Sequence, residues 1–233
     1  MIILNFFIGA SLASFVNLVV IRKCRNESIV WPRSHCDTCG NQLGAIDLIP
    51  VLSYIILIGK CRQCKQHIPI SSFLVEILLG VAFASTPLQI EALTFLGSIL
   101  ILTYLSLFDH RTQLIPTTGI CLLFASCFVE SNQPLSHIIV AIFIYLGVQL
   151  VNRKQFFVGS GDIDILFCLW LASTINLLLW TICLACVFAT FYLIIAPWPK
   201  ENKIPFVPFL TMGYFIAYRF SDFLSVYPTT IAF

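Results

Sequence analysis

The sequence predicts an all-α fold: a polytopic membrane helical bundle of about eight spans with a small cytoplasmic zinc-binding loop domain. Three observations predict it. Of 233 residues, 59% are hydrophobic and only 10% charged, and the mean hydropathy is +0.95. A soluble domain carries about 25% charge. The apolar residues fall into long runs separated by turn formers, and at roughly 20 residues per crossing the chain holds about eight. The basic residues also collect in alternate connections. Together these exclude a soluble domain, and the lack of any long polar tract excludes a disordered one.

The first run, residues 2–21, lacks the basic segment that opens a secretory signal; Arg22, Lys23 and Arg25 follow it instead. It reads as an uncleaved span with its N-terminus outside. Residues 22–69 form the one sizeable polar segment. Within it Leu48–Ile58 is apolar but too short to cross, so it packs under the polar segment or lies in the interface. The remaining spans are expected at 70–87, 90–108, 114–130, 135–151, 163–175, 177–196 and 205–221. Pro87, Asn132–Pro134, Asn176 and Pro197–Pro199 mark connections,. The domains expected are therefore 1–21, a first span; 22–69, a cytoplasmic segment; and 70–233, a membrane bundle.

Orientation follows from charge. Alternating from an outside N-terminus places residues 22–69, 109–113, 152–162 and 197–204 inside. Those segments hold all of the 13 Lys and Arg except Arg219, the bias expected of cytoplasmic loops. A miscount by one span would have thrown the later clusters outside. The net charge of +2 and the absence of a basic stripe give no reason to expect a nucleic-acid partner. Membrane lipid is the surrounding medium.

Of the ten cysteines, Cys121, Cys127, Cys168, Cys183 and Cys186 sit in apolar runs, where a thiol packs as a small hydrophobe,. Cys36, Cys39, Cys61 and Cys64 share the polar segment as two Cys-x-x-Cys pairs, 21 residues apart. That is close to four-cysteine zinc spacing: each pair bites one ion from a tight knuckle, and four thiolates close a structural site. His35 and His67 are alternative ligands, more simply read as facing solvent. A redox pair fits less well, and Cys24 has no partner.

The carboxylates sort by depth. Glu27, Asp37, Asp47 and Glu201 fall in interior loops, and Glu91, Glu130 and Asp222 near exterior ends. Glu76, Asp109, Asp162 and Asp164 lie in or at the lip of apolar runs, where an ionisable group is expensive and usually has a task. Asp109 ends an apolar run and precedes Leu114-Ile115-Pro116; Asp162 closes Gly159-Ser160-Gly161-Asp162. The chain crosses outward and back between them, so both finish at the interior face, each near a helix start whose free N–H groups favour an anion. The glycines beside Ser160 allow an extended peptide to approach the backbone. Two carboxylates reaching one water share a proton, one acting as base and the other donating to the scissile carbonyl. That is aspartic proteolysis. The plainer alternative is that Asp109 pairs with Arg111 while Asp162 caps a helix.

Gly-x-Gly-Asp at the interior start of a span, with an earlier Asp followed by Ile-Pro (Asp109 to Ile115-Pro116), resembles the type IV prepilin peptidases, intramembrane aspartic proteases of bacteria. The likeness extends to Gly9-Ala-Ser-Leu-Ala-Ser14-Phe15-Val-Asn17, Pro32-Arg-Ser-His35-Cys36, Asp47-Leu-Ile-Pro50 with Ser53-Tyr54, Cys61-Arg-Gln-Cys64, Glu76 and Ile204-Pro205-Phe206-Val207-Pro208-Phe209. The resemblance implies that Asp109 and Asp162 are catalytic. It further implies a location in the bacterial cytoplasmic membrane and prepilin or pseudopilin substrates with a basic leader and an apolar helix after the cut. It implies too, with no independent methyl-donor motif to support it, N-methylation of the new N-terminus from S-adenosylmethionine by the cytoplasmic N-terminal part. Two departures stand out: Asp164 where the family usually has Lys, and Val207 where it usually has Gly. Asp164 is thereby a rival for the second catalytic position. A cation- or proton-coupled transporter and a zinc-assembled scaffold are the rival functions. The first would favour midplane charges and repeated halves, which are absent here, and the second leaves Gly-x-Gly-Asp unexplained.

Overall fold

The structure, a computed structural model, describes residues 1–86, 90–130, 133–152, 159–195 and 204–221. Among these every regular element is helical: α1 (Ile2–Cys24), a 3-10 turn (Ile46–Leu48), α2 (Leu52–Ile56), α3 (Ile70–Ser85), α4 (Ile90–Thr112), α5 (Thr117–Glu130), α6 (Leu135–Val151), α7 (Ser160–Ala172), α8 (Ile175–Ile195) and α9 (Val207–Arg219). A helix stands in each of the expected apolar stretches. Three of them, Ile2–Cys24, Ala92–Thr112 and Ile175–Ile195, are long and apolar enough to cross a membrane; Ile70–Ser85, Thr117–Val129 and Leu135–Val151 are shorter apolar helices. At 1.5 Å per residue a helix of 16 residues (α3) spans about 24 Å, less than a hydrocarbon core of about 30 Å,. Residues 153–158 and 196–203, with Arg153, Lys154, Lys200 and Lys203 of the expected interior loops, lie outside the described residues, as do Pro87, Asn132, Pro197 and Pro199.

Several boundaries differ from expectation for local reasons. α1 runs three residues beyond Ile21 because Arg22 and Lys23 suit a helix C-terminus,. α4 continues through Asp109, His110 and Arg111 and ends at Thr112, before Gln113, whose positive φ of 54° turns the chain. The break between α7 and α8 falls at Ser173–Thr174 rather than at Asn176, because Ser173 adopts an extended conformation that ends α7. Leu48–Ile58 becomes the 3-10 turn and short α2, with Ile55, Ile56 and Ile58 exposed.

The chain divides into two compact units, Met1–Leu96 and Gly97–Phe233, the boundary falling inside α4. In the first unit α1 packs on α3 through reciprocal glycines. A Cβ on Gly9 would meet the Leu79 carbonyl oxygen and the Phe83 ring, and one on Gly80 would meet the Phe6 ring at 2.7 Å. Small residues of this kind let apolar helices approach closely. Asn17 Nδ2 donates to Ser72 Oγ at 2.9 Å across the same seam. Arg22 is only 4% exposed; its guanidinium donates to the carbonyls of Ser28, Ile29 and Pro32 and so pins the loop that leaves α1. Gly9→Ala is expected to cost about 1–3 kcal/mol, since the obstructing carbonyl is backbone. Gly147→Ala, facing open space on α6, is expected to be neutral or stabilising by about 0.5–1 kcal/mol. Thermal unfolding of the two purified variants checks the contrast.

In the second unit α7 contacts α5, α6 and α8, and α9 lies along α8. Gly213 permits the α8–α9 approach: a Cβ there would stand 2.6 Å from the Thr181 carbonyl oxygen. α4 meets α5 through the Ser98–Ser126 hydroxyl pair at 2.9 Å, and α9 through Thr211 Oγ1, which donates to the Leu102 carbonyl at 3.4 Å. Leu102, Leu105, Leu123, Ile165, Leu169, Leu210 and Tyr214 fill the core.

Candidate active site and metal centre

Asp109 stands in the last turn of α4, not beside the start of the next helix as the sequence suggested. The helix start that serves it is a distant one in sequence. Val207, the first residue of α9, donates its N–H to Asp109 Oδ2 at 3.0 Å, and Asp109 is buried, 7% exposed. The first N–H groups of a helix have no internal partner and carry the positive end of its dipole, so they complement a carboxylate. Pro208 at the start of α9 fixes where that helix begins,. Val207 thus contributes through its backbone, which is why a side chain in place of the usual glycine is compatible with the contact; its own side chain is fully buried. Sequence reading noted Ile204–Phe209 only as a landmark. The proline just inside an apolar run was the available signal.

Asp162 stands in the first turn of α7, after Gly159 as N-cap. It is half-buried and within Coulombic reach of Asp109. The device that brings the two motifs together is Gly161. A Cβ there would lie 2.6 Å from Ile115 Cδ1 and 3.0 Å from Ile115 Cβ, so the bare glycine lets the start of α7 rest on the residue six positions after Asp109. Gly161→Ala is expected to displace α7 and impair any chemistry needing both carboxylates, with partial recovery in the Gly161→Ala/Ile115→Ala double variant. Cleavage of a model substrate by the single and double variants checks this coupling.

Asp164 faces elsewhere. Its Oδ1 accepts from Tyr145 Oη at 2.8 Å and from Gln149 Nε2 at 3.1 Å, both on α6. The helical step of two residues carries it to a different side of α7 from Asp162. Tyr145 and Gln149 escaped sequence reading because an i, i+4 polar pair inside an apolar helix has no meaning until its partner helix is known. Glu76, left open between a supporting and a packing role, accepts the Val51 N–H at 2.7 Å and is hydrogen-bonded by the Ser14 side chain.

The four cysteines of the polar segment come together: the sulfurs of Cys36, Cys39, Cys61 and Cys64 all lie within 4.8 Å of one another, with Cys36 and Cys64 at 3.8 Å. A tetrahedral ion with bonds of about 2.3 Å to sulfur has edges of about 3.8 Å, so the residues present fit a metal such as zinc. The two knuckles repeat the same backbone pattern. Cys36 donates to Asn41 and accepts from Gly40; Cys61 donates to Gln66 and accepts from Lys65. His35 pairs with Gln42 and Lys60 with His67 in the matching bridges. The tight turn needs a left-handed residue, which is Gly40 (φ 68°) in one knuckle and Lys65 (φ 58°) in the other. Backbone N–H groups of Cys39 and Thr38 turned on the Cys36 sulfur hold its thiol down to about 6, favouring the thiolate a metal requires. His35 Nδ1 lies 3.0 Å from the Arg33 carbonyl oxygen, and neither His35 nor His67 joins the cluster.

An apolar helical chain with helices long enough to cross a membrane and a four-thiol cluster that could hold a metal is of the membrane-protein class. Residues 7–90 match the model of the Bacterial Peptidase A24 N-terminal domain. Relatives bearing the name prepilin leader peptidase/N-methyltransferase include one of Vibrio cholerae, 32% identical over 150 residues, or 58% of this chain and 59% of the relative. One of Pseudomonas putida is 29% identical over 214 residues, covering 82% and 73%. One of Bacillus subtilis is 24% identical over 239 residues, covering 95% of each. The match thus spans less than two thirds of the Vibrio relative's length. No solved structure matches the chain. The chain is thus similar over most of its length to proteins of that name, and its residues 7–90 match the N-terminal domain of Bacterial Peptidase A24.

Proposed function

We propose that the chain is a membrane aspartic endopeptidase that removes the basic leader from type IV prepilins or pseudopilins, with Asp109 and Asp162 as its catalytic pair. The observation that carries this reading is the meeting of the two aspartate motifs, with Gly161 seated on Ile115 and Asp162 within Coulombic reach of Asp109. Two carboxylates that reach one water share a proton between them. The ionised member takes a proton from water as the water oxygen attacks the scissile carbonyl; the protonated member donates to the carbonyl oxygen. Collapse of the tetrahedral intermediate breaks the C–N bond and the leaving amine takes up a proton. The Val207 N–H on Asp109 Oδ2 steadies that group's orientation and its negative charge,.

The distribution of Lys and Arg supports a cytoplasmic reaction face and an outside N-terminus. Zinc held by Cys36, Cys39, Cys61 and Cys64 would be structural, because four thiolates leave no open position. The relatives' names support methylation of the new N-terminus by the N-terminal part, with S-adenosylmethionine as donor. They do not favour cation- or proton-coupled transport. The test is incubation of the purified protein with a prepilin: a shortened product is expected, and its absence with a substrate that a known relative cleaves overturns the reading.

A further inference from the structure

The segment between α1 and α3 leaves and returns at one end of that helix pair. Asn17 meets Ser72 and Gly9 meets Leu79, so the two helices run antiparallel and Cys24 and Ile70 lie at the same end. α1 is long and apolar enough to cross a membrane. The short α2 does not float above this pair. Glu76 of α3 accepts the Val51 N–H at 2.7 Å, and the Tyr54 ring stacks on Phe73 of α3 with centroids 4.5 Å apart. At 1.5 Å per residue these two anchors stand about 5 and 9 Å along the helix from Ile70, its first residue,. α2 is therefore docked against the first two turns of an apolar helix, at the 5–10 Å depth typical of helices that lie in a bilayer interface.

Its polarity is inverted relative to a helix that faces water. Leu52, Ile55 and Ile56, spaced i, i+3, i+4, share one face and are 41%, 57% and 63% exposed, and Ile58 just beyond them is 80% exposed,. Ser53 and Leu57 point the other way and line the polar cavity of about 380 Å³ that reaches the cysteine knuckles. A helix in water turns its apolar stripe inward, and a contiguous exposed one marks a membrane or partner surface. The backbone suits lipid. The N–H groups of Leu52, Ser53, Ile55 and of Leu57 to Lys60 donate within the segment. Val51, held at φ 64°, donates to Glu76. Backbone groups at membrane depth must be answered by protein in this way. Lys60, Arg62 and Lys65 follow directly and are exposed, with Arg62 paired to Asp47; such a basic run complements anionic headgroups.

We infer that the face formed by Leu52, Ile55, Ile56 and Ile58 is immersed in the lipid leaflet at the Cys24 end of α1. α2 is then an interfacial helix, clipped to α3 through Glu76 and Phe73, with acyl chains beside the isoleucines and headgroup phosphates beside Lys60 and Lys65. Five residues are far too few to cross the bilayer,, so the segment dips into one leaflet and returns. Its opposite face keeps the knuckle cavity toward water and holds the cysteine-bearing segment flat on the membrane. The inference stands apart from the peptidase reading, since it needs neither Asp109 nor Asp162.

The test reconstitutes the unaltered chain in vesicles of phosphatidylethanolamine and phosphatidylglycerol that carry a phospholipid with a diazirine on the upper half of one acyl chain. The vesicles are irradiated and the adducts are mapped by mass spectrometry. Phe15, 57% exposed on α1, is the internal standard for a lipid-facing residue. Leu52, Ile55, Ile56 and Ile58 are expected to take label within about threefold of Phe15, and Ser53 and Leu57 about tenfold less. Label at Phe15 with none over residues 52–58 overturns the inference. So does equal label on both faces of α2, because the helix would then not be seated as described. Label that appears on the isoleucines only at a much lower protein-to-lipid ratio overturns it as well, by showing that a second copy of the chain covers this face.

Discussion

Asp109→Asn and Asp162→Asn are each expected to abolish prepilin cleavage, lowering the rate by about a thousandfold or more, while the protein accumulates in membranes and melts near the wild-type temperature. The size follows from chemistry: without either carboxylate the water has no base or the carbonyl oxygen no acid, and each function contributes about 10²–10⁴-fold. Asparagine keeps the shape and the acceptor, so the Val207 N–H can still be answered at position 109. The variants therefore separate lost chemistry from lost structure. Asp164→Asn is the informative companion. Its carboxylate is committed to Tyr145 and Gln149 on α6, and cleavage is expected to survive. Full activity in Asp162→Asn with none in Asp164→Asn would reverse the assignment.

Removal of the metal-binding thiols has the second large expected effect. Wild type should carry about one zinc per chain by elemental analysis, and Cys61→Ser or Cys64→Ser should lose most of it. Cys61 is buried, so its variant should suffer more. The polar segment has no regular structure beyond a 3-10 turn and the five-residue α2, so little besides the ion can hold it folded. Structural zinc in small domains is worth about 10–16 kcal/mol near neutral pH, enough to decide whether such a segment folds. Limited proteolysis between Arg25 and Ile68 should accelerate in these variants and on chelation. Metal content indifferent to both substitutions would remove the site. Acidification should release the metal, since protons compete with it for the thiolates.

Much of the architecture was written in local pattern. Apolar runs broken by Pro, Asn and charge placed the eight longer helices of the described residues to within a few positions, while the short α2 was not expected. The misjudged ends were those where polar residues extend a helix rather than stop it. Arg22–Lys23 at the end of α1 and Asp109–Arg111 at the end of α4 are such cases. Ser160 to Asp162 is another, forming the first turn of α7 rather than a loop before it. The knuckles were equally legible, because two cysteines three residues apart in a tight turn are a local feature.

By itself, then, the sequence determined the helical class, the list of acidic groups worth attention and the four thiols that cluster, since periodicity, hydropathy and ligand spacing act over a few residues. Only the tertiary structure decided which groups hold Asp109 and Asp164. A Cβ-free contact between Gly161 and Ile115, a backbone N–H reaching Asp109 from a residue 98 positions later and the tethering of Asp164 to α6 depend on how helices pack. Packing is governed by steric fit between surfaces far apart in the chain, which no local pattern encodes.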